Sequence, residues 1–323
     1  MSAVAVDAPR RAGVHPILGV LARRVVSGII VLWATATVAF WTLQLVPGSP
    51  VDILAGDMAD AELREALARE WGLDLPAWQQ YVDFLGRLVV GDLGQSYVQQ
   101  QPVVSVLGDQ LGSTFVLALA AGVLAVAIAV VLSTATVGRA RVRRGVLSTL
   151  ELVFVSVPVF WSGLLLLIVF SFQLGWFPAA GAGGVRSLVL PAVTLALPTA
   201  GLLSQVLRES MERTLTEPFI VTVRARGVRE SLVVWRHALR HAALPGMTVL
   251  GSLAGGLLGG AVITETVFGR PGIGSISLQA VSNKDVPVVI GVVLLAAAVY
   301  VVVSTLLDLA YTLADPRLRG GAR

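Results

Sequence analysis

The chain is organised as long uncharged runs separated by short charged segments. A helix needs roughly 20 apolar residues to cross a bilayer. Six runs reach or approach that length: residues 25–46, about 111–137, about 146–172, about 188–207, about 246–267 and about 286–307. They are continuous rather than alternating, which predicts spanning helices and argues against a strand barrel. Pro158 and Pro198 fall inside spans and are expected to kink them. In the fifth run Gly251, Gly255 and Gly259 recur every fourth residue, with Gly256 and Gly260 beside them. Such a stripe lets helices approach closely. It reads either as packing or as a smooth surface along a translocation route.

Two polar segments are too long to be simple connections. The first is about 47–110. Asp60 is placed to cap a helix whose apolar stripe is Leu63, Leu67 and Trp71, with Glu65 and Arg69 four apart and Gly72 ending it. Pro76 starts a second helix with Trp78, Val82, Leu85, Leu88 and Val89 on one face. The pair predicts a small cap over the membrane part, either a cover or a docking platform for an outside partner. It carries more Asp and Glu than Arg, so anionic lipid suits it poorly. The second segment is about 208–245. It reads as helix, a break at Glu217-Pro218, a short helix from Phe219 to Arg226, an interruption at Gly227, and helix again to Pro245. That is an elbow, charged enough for water, with an apolar patch of Phe219, Ile220 and Val223 that suits a protein partner.

Composition agrees with a membrane solvent. Of 323 residues, 55 % are hydrophobic and 14 % charged, against roughly 25 % charged in soluble domains. Mean hydropathy is +0.81. There is no Cys, which removes disulfides, thiolate metal sites and Cys nucleophiles together. The basic residues set the topology. With the N-terminus inside, 18 of the 24 fall on the cytoplasmic side: Arg10, Arg11, Arg23 and Arg24; Arg139, Arg141, Arg143 and Arg144; seven Arg of the elbow; and Arg317, Arg319 and Arg323. The positive-inside rule therefore predicts both termini in the cytoplasm. The first run exceeds a signal-peptide core of about 7–15 residues, so it reads as an anchor.

The residues also resemble a known family. Val46-Pro47-Gly48-Ser49-Pro50-Val51 is similar to a PGDPV segment, and Gly91-Asp92-Leu93-Gly94-Gln95-Ser96-Tyr97 to GDLGxSY. Ser156-Val157-Pro158-Val159-Phe160-Trp161 resembles SxPxFW, and Glu265-Thr266-Val267-Phe268-Gly269-Arg270-Pro271-Gly272-Ile273-Gly274 resembles ETVFxxPGIG. Gly175-Trp176-Phe177-Pro178, the segment from Leu190 to Ala196, and Asp315-Pro316-Arg317-Leu318-Arg319 match in order as well. These are the motifs of the dipeptide/oligopeptide/nickel family of ABC importer permeases. Importer permeases carry an "EAA" coupling loop. Its equivalent here is Val221, Thr222, Val223, Arg224, Ala225, Arg226 and Gly227, with Val221 where the general motif has its acid. The tail from Arg236 to Pro245 resembles RHALRNALLP.

The resemblance implies an all-α integral membrane protein with six transmembrane helices, both termini inside, and the type I ABC importer permease fold. Residues 1–24 would form a cytoplasmic tail and 25–323 the transmembrane domain, in a bacterial cytoplasmic membrane. The implied partners are a second homologous permease, two ABC ATPase subunits and an extracytoplasmic substrate-binding protein, besides membrane lipid and without nucleic acid. Cargoes in the family are peptides, nickel or metal chelates. ATP and Mg belong to the ATPases; no cofactor, metal or catalytic residue is expected in this chain. Arg224, Arg226 and Arg229 would face acids on the ATPase. Pro158, Trp161, Gly255, Gly259 and Glu265 are candidates for the path or gate, each with a plain packing alternative.

The residues bear on this independently. No GxxxxGK[ST] occurs, and Gly269 to Gly274 lacks the P-loop Lys. The spans are nearly free of ionisable groups apart from Glu151 and Glu265 near span ends, whereas gradient-driven carriers use intramembrane charges. A self-contained secondary transporter or channel is the alternative. An intramembrane protease is disfavoured because His15, His237 and His241 all lie outside the spans. His237 and His241, four apart, have metal-ligand spacing but no accompanying HExxH; an interface or structural role is the default.

Overall fold

The structure is a computed structural model that describes residues 15–45, 50–55, 60–138 and 141–314. The Pro47-Gly48-Ser49 motif, Arg10, Arg11, Arg139 and the C-terminal Asp315-Pro316-Arg317 motif lie outside the described residues. Among the described residues the architecture is all-helical, with one isolated bridge between Gln95 and Pro102.

The helices run α1 (His15–Gln44), α2 (Pro50–Ala55), α3 (Ala61–Glu70), α4 (Ala77–Val89), α5 (Val103–Thr136), α6 (Arg141–Ser156), α7 (Val159–Leu166) and α8 (Arg186–Leu215). Then follow α9 (Pro218–Ala225), α10 (Glu230–Leu232), α11 (Leu239–Val267), α12 (Ile273–Ser282) and α13 (Val286–Ala314). A π-helical turn, Leu167–Gln173, prolongs α7, and another, Val233–Ala238, joins α10 to α11. Among the described residues four helices are long and apolar enough to cross a membrane, or up to six if each of two bent pairs counts as one span.

The bent pairs fall at expected and unexpected places. The third run is not one straight helix: α6 and the α7 unit meet at 106° at Val157-Pro158. Pro158 has no N–H for the i−4 carbonyl and serves as the N-cap of α7. Pro198, expected to kink its span, sits with Pro191 inside one continuous α8. Pro245 likewise lies within α11. The axes of Glu230–Leu253 and Gly255–Val267 differ by 50°, so the second bend falls between Leu253 and Gly255, beside the Gly255-Gly256 pair.

The core is built from small residues. Leu117, Ala121 and Ala125 of α5 meet Ala192, Leu195, Ala196 and Ala200 of α8, and Leu257 and Ala261 of α11. Alanines spaced by four bring the backbones close, which is how helices associate where lipid offers no hydrophobic drive. α8 is the central helix, with 67 % of its apolar window buried; α1 and α13 bury 11 % and 22 % and lie outermost. Arg24 and Asp308 form an ion pair between these two at one end.

That end also carries the turn around Gly227 and is called the elbow end. A second cluster seals it: Leu203, Leu207 and Met211 of α8 against Val234, Ala238 and Ala242. At the opposite end, the cap end, α4 packs on α1 and α13 through Phe84, Phe40 and Ile290.

The cap has the expected helices with a different buried face. Asp60 accepts from the Leu63 N–H at 2.9 Å, and Gly72 takes φ +65° after α3. On α4, however, Tyr81, Phe84, Leu85 and Leu88 turn inward, at i, i+3, i+4 and i+7. Trp78, Val82 and Val89, which the sequence groups with Leu85 and Leu88 on one face, are exposed. Arg69 donates to the Glu65 carbonyl rather than to its carboxylate, and Arg64 pairs with Asp52 instead.

The glycine stripe splits in two. A Cβ on Gly260 would fall 2.6 Å from Leu195, and one on Gly201 of α8 would fall 2.8 Å from the Glu151 carbonyl oxygen. These glycines set helix spacing. Gly256 and Gly259 face open space, and Gly255 has ordinary contact with Tyr300. Gly201→Val is therefore expected to force α6 from α8 and cost about 2 kcal/mol or more. Thermal unfolding in detergent should show a clearly lower Tm for Gly201→Val and no loss for Gly256→Ala.

Candidate functional site

Three polar centres punctuate the apolar bundle, one of them at the elbow and two at the cap end. The elbow begins where α8 ends at Leu215. Pro218 sits at the first turn of α9, the position that tolerates a missing N–H. Ile220 is fully buried and anchors α9, so it belongs to the core and not to an exposed patch. The exposed apolar residues are Phe219, Val221, Leu232 and Trp235. Phe219 lies against His241, ring centroids 5.3 Å apart. Gly227 takes φ +76°, the left-handed conformation that reverses the chain between α9 and α10.

Across that reversal Arg224 and Glu230 form a bidentate pair: Nε to Oε2 at 3.0 Å and Nη2 to Oε1 at 2.6 Å. The hydrogen bonds to Arg224 pull the Glu230 carboxyl below the usual range and raise Arg224 further. Arg224 thus has an acid within its own chain. Thr222, Ala225, Arg226 and Arg229 are exposed around it, and Val223 is half-buried.

Just above the elbow, Glu151 of α6 is completely buried. Ser204 donates to its Oε1 at 2.6 Å, and Arg208 pairs with Oε2 while also donating to Ser148 at 2.9 Å. A buried carboxylate needs this full set of partners. The pair bolts α6 to α8 where Gly201 allows them to touch.

At the cap end Glu265 does the same work for α12. Its side chain is fully buried. Oε1 accepts from the Thr114 hydroxyl at 2.6 Å; Oε2 accepts from the amides of Gly274 and Ser275 at 2.8 and 3.1 Å. Thr114 Oγ1 in turn accepts from the Ile273 amide at 2.8 Å. A carboxylate at a helix N-terminus satisfies otherwise orphaned amides and the helix dipole. Gly272 and Gly274 are required: a Cβ would lie 2.2 Å from the carboxylate at the first and 2.3 Å from Val262 at the second. This is the structural content of the Glu265-to-Gly274 motif. Glu265 is thus hydrogen-bonded to the glycine loop of its own motif. Arg270, 5 % exposed, leaves Nε and Nη1 without hydrogen bonds to described residues; burial lowers its pKa, against the opposing pull of Glu265.

The third centre is Asp285, 3 % exposed, in the turn before α13. It accepts from the Ser96 hydroxyl at 2.5 Å and from the Tyr97 and Val98 amides at 3.1 and 3.4 Å. The Gly91-to-Tyr97 motif is thereby tied to the α12–α13 turn. Thr114, Ser96, Asp285, Ser204 and Arg208 carry no local sequence signal for these roles, because each partner lies more than fifty positions away.

The remaining path candidates separate. Pro158 and Trp161 line one shallow groove in the α6–α7 bend, with Leu152 and Ser156. Gly259 lies on another face, the exposed α11 stripe of Ser252, Gly256, Gly259, Ile263 and Thr266. Glu265 is turned inward from that stripe. Among the described residues no three His, Asp or Glu side chains group as metal ligands.

Residues 125–320 match the family described as binding-protein-dependent transport system inner membrane component, and residues 17–118 match its N-terminal membrane-component family. The chain belongs to this family. It is the permease subunit of a binding-protein-dependent ABC importer, a multi-pass protein of the bacterial inner membrane. A protein of Brucella abortus (strain 2308) named as a peptide transport system permease is 38 % identical over 307 residues, covering 92 % of this chain and 98 % of its own. The di/tripeptide transport system permease protein DppB of Pseudomonas aeruginosa is 33 % identical, covering 94 % and 99 %. The glutathione transport system permease protein GsiC of Escherichia coli is 32 % identical, with the same coverage. Among solved structures, a chain of the MetNI methionine ABC transporter aligns with TM-score 0.49 at 18 % identity, over 63 % of this chain and 92 % of that one. The self-contained carrier or channel is not favoured for a member of this family. A permease of this kind implies ATPase, substrate-binding and second-permease partners.

Two outcomes test the polar centres. Glu265→Ala orphans two buried amides at about 1–3 kcal/mol each, so it should lower the Tm strongly, and Glu265→Gln by less. Tyr97 is pushed up to about 12, first by burial and then by the Asp285 carboxylate, with Arg87 opposing. Its folded value lies above the ordinary 10.0, so its contribution is whole below pH 10 and is lost as pH rises towards 12. The phenolate absorbance difference between wild type and Tyr97→Phe should rise near pH 12; a rise near 10 would remove this role.

Proposed function

We propose that this permease carries small peptides inward, paired with a second homologous permease, two ATPase subunits and an extracytoplasmic binding protein. The observation that carries the reading is the elbow. It presents Phe219, Val221, Leu232 and Trp235 to solvent on a rigid turn braced by Arg224 and Glu230. An exposed apolar patch ringed by Arg is suited to a protein partner. Ile220 is fully buried beneath the same turn, and α9 packs on the π turn that leads into α11, so a push on the elbow reaches α11.

The orientation follows the charges. Among the described residues Arg23, Arg24, Arg144, Arg208 and the elbow arginines gather at one end, and only Arg64, Arg69, Arg87, Arg186, Arg270 and Lys284 are at the other. The elbow end is then cytoplasmic and the cap end faces out, where the exposed Trp78, Val82 and Val89 of α4 suit docking by the binding protein. In this scheme ATP binding closes the ATPases, the elbows follow as rigid bodies, and the cavity between the two permeases changes its accessible side. The Gly256–Gly259 face of α11 and the Pro158–Trp161 groove are the surfaces offered to the second permease and to cargo. The chain itself performs no covalent chemistry and holds no cofactor; ATP and Mg act in the partners. Peptide as cargo is supported by the relatives named as peptide permeases.

Purification from native membranes in mild detergent should yield one second permease and two P-loop ATPases per chain. Isolation of the chain alone would sink the assembly. Gly227→Asp, which strains a left-handed backbone position, and the double variant Arg224→Glu/Arg226→Glu should abolish peptide uptake with normal membrane insertion. Normal uptake by both would remove the coupling role.

A further inference from the structure

A cavity of about 610 Å³ lies at the cap end, between the cap and the outermost spans. That is within the usual range for small-molecule sites, roughly 300–1,000 Å³. Its floor is apolar: Phe40 of α1, Phe84 of α4 and Ile290 of α13, all buried in one cluster. Its rim is charged with both signs. Arg69 and Arg87 line it together with Glu70 and Asp83, and Lys284 adds a third cation. Arg87 and Asp83 have no ion pair or side-chain hydrogen bond to a described residue. No residue of α8 or α11, the helices carrying the core and the open glycine face, lines the cavity. It is therefore separate from the surfaces assigned to cargo and coupling above.

We infer that this cavity seats a zwitterionic phospholipid of the phosphatidylethanolamine class. Three arguments converge. The floor belongs to α1 and α13, the least buried spans, so the cavity borders the bilayer. The rim pairs cations with acids, which matches a headgroup bearing a phosphate and an ammonium; an anionic headgroup would meet Glu70 and Asp83 with nothing to offer them. The volume accepts a headgroup and the upper part of one acyl chain, while the rest of the lipid follows the exposed apolar face of α1 at Val38, Trp41 and Leu45. The Arg87 and Arg69 guanidinia face the phosphate, Asp83 and Glu70 the ammonium, and the chain lies on Phe40 and Ile290. The lipid fills the joint between cap and bundle and holds α4 in place over α1 and α13.

The test uses the intact transporter in mild detergent and phosphatidylethanolamine carrying a photoreactive acyl chain. Illumination followed by peptide mapping is expected to label the segments holding Phe40 or Ile290. Unlabelled phosphatidylethanolamine should compete at least tenfold better than phosphatidylglycerol with the same chains. Arg87→Ala/Asp83→Ala, both at exposed positions, should lower labelling at least tenfold with an unchanged Tm. Leu43→Trp, which narrows the cavity from its apolar side, should do the same if the first variant is unstable. Absence of labelling, equal competition by phosphatidylglycerol, or labelling unchanged in these variants would overturn the inference. Displacement of the label by a di- or tripeptide would also overturn it, by giving the cavity to cargo. Peptide uptake measured in parallel separates this result from the transport reading.

Discussion

The arrangement of the cap end depends on one carboxylate seated on one helix terminus. Glu265 ends α11, and its two oxygens hold Thr114 of α5 and the first amides of α12. Three helices therefore meet at a single, fully buried side chain. Such a junction is stable only when every donor is answered, because a partly satisfied buried charge costs several kcal/mol. The glycines of the loop exist to let the carboxylate in. Asp285 repeats the device one helix later, fixing the Ser96–Val98 loop and through it the cap. Glu151 repeats it at the elbow end with Arg208 and Ser204. The apolar bundle supplies adhesion, and these three acids supply register.

The spans and the cap helices were legible because their signals are local. An uncharged run of about twenty residues has one fate in a membrane protein. Asp60, Gly72 and Gly227 declare helix ends through residue chemistry alone. The single apolar face that the sequence predicts for α4 splits for a physical reason. Trp78 and Val82 are apolar enough to bury, but Tyr81 and Phe84 offer the larger aromatic surface to Phe40. Two faces of one helix competed, and only tertiary contact chose. Glu151 and Glu265 were legible as rare charges near span ends; Asp285 and the partners of all three acids were not. Thr114 reads as a neutral polar residue in an apolar run until α12 is brought against it.

The bends had mixed legibility. Pro158 breaks a helix because the residue before a proline avoids the α conformation. Pro191 and Pro198 stay inside α8, where the neighbouring helices α5, α6 and α11 enclose the chain. The π turns at Leu167–Gln173 and Val233–Ala238 have no sequence signature of this kind; they come from fitting side chains across helices.

The 50° bend beside Gly255 has a mechanical consequence. The helix from Glu230 to Val267 is continuous through its π turn, so it forms two arms about one joint. At about 1.5 Å per residue the arm reaching the elbow is roughly 38 Å long and the arm reaching Glu265 roughly 18 Å. The two arms thus differ about twofold in length. Equal tilts of both about the bend would sweep the elbow end about twice as far as the Glu265 end.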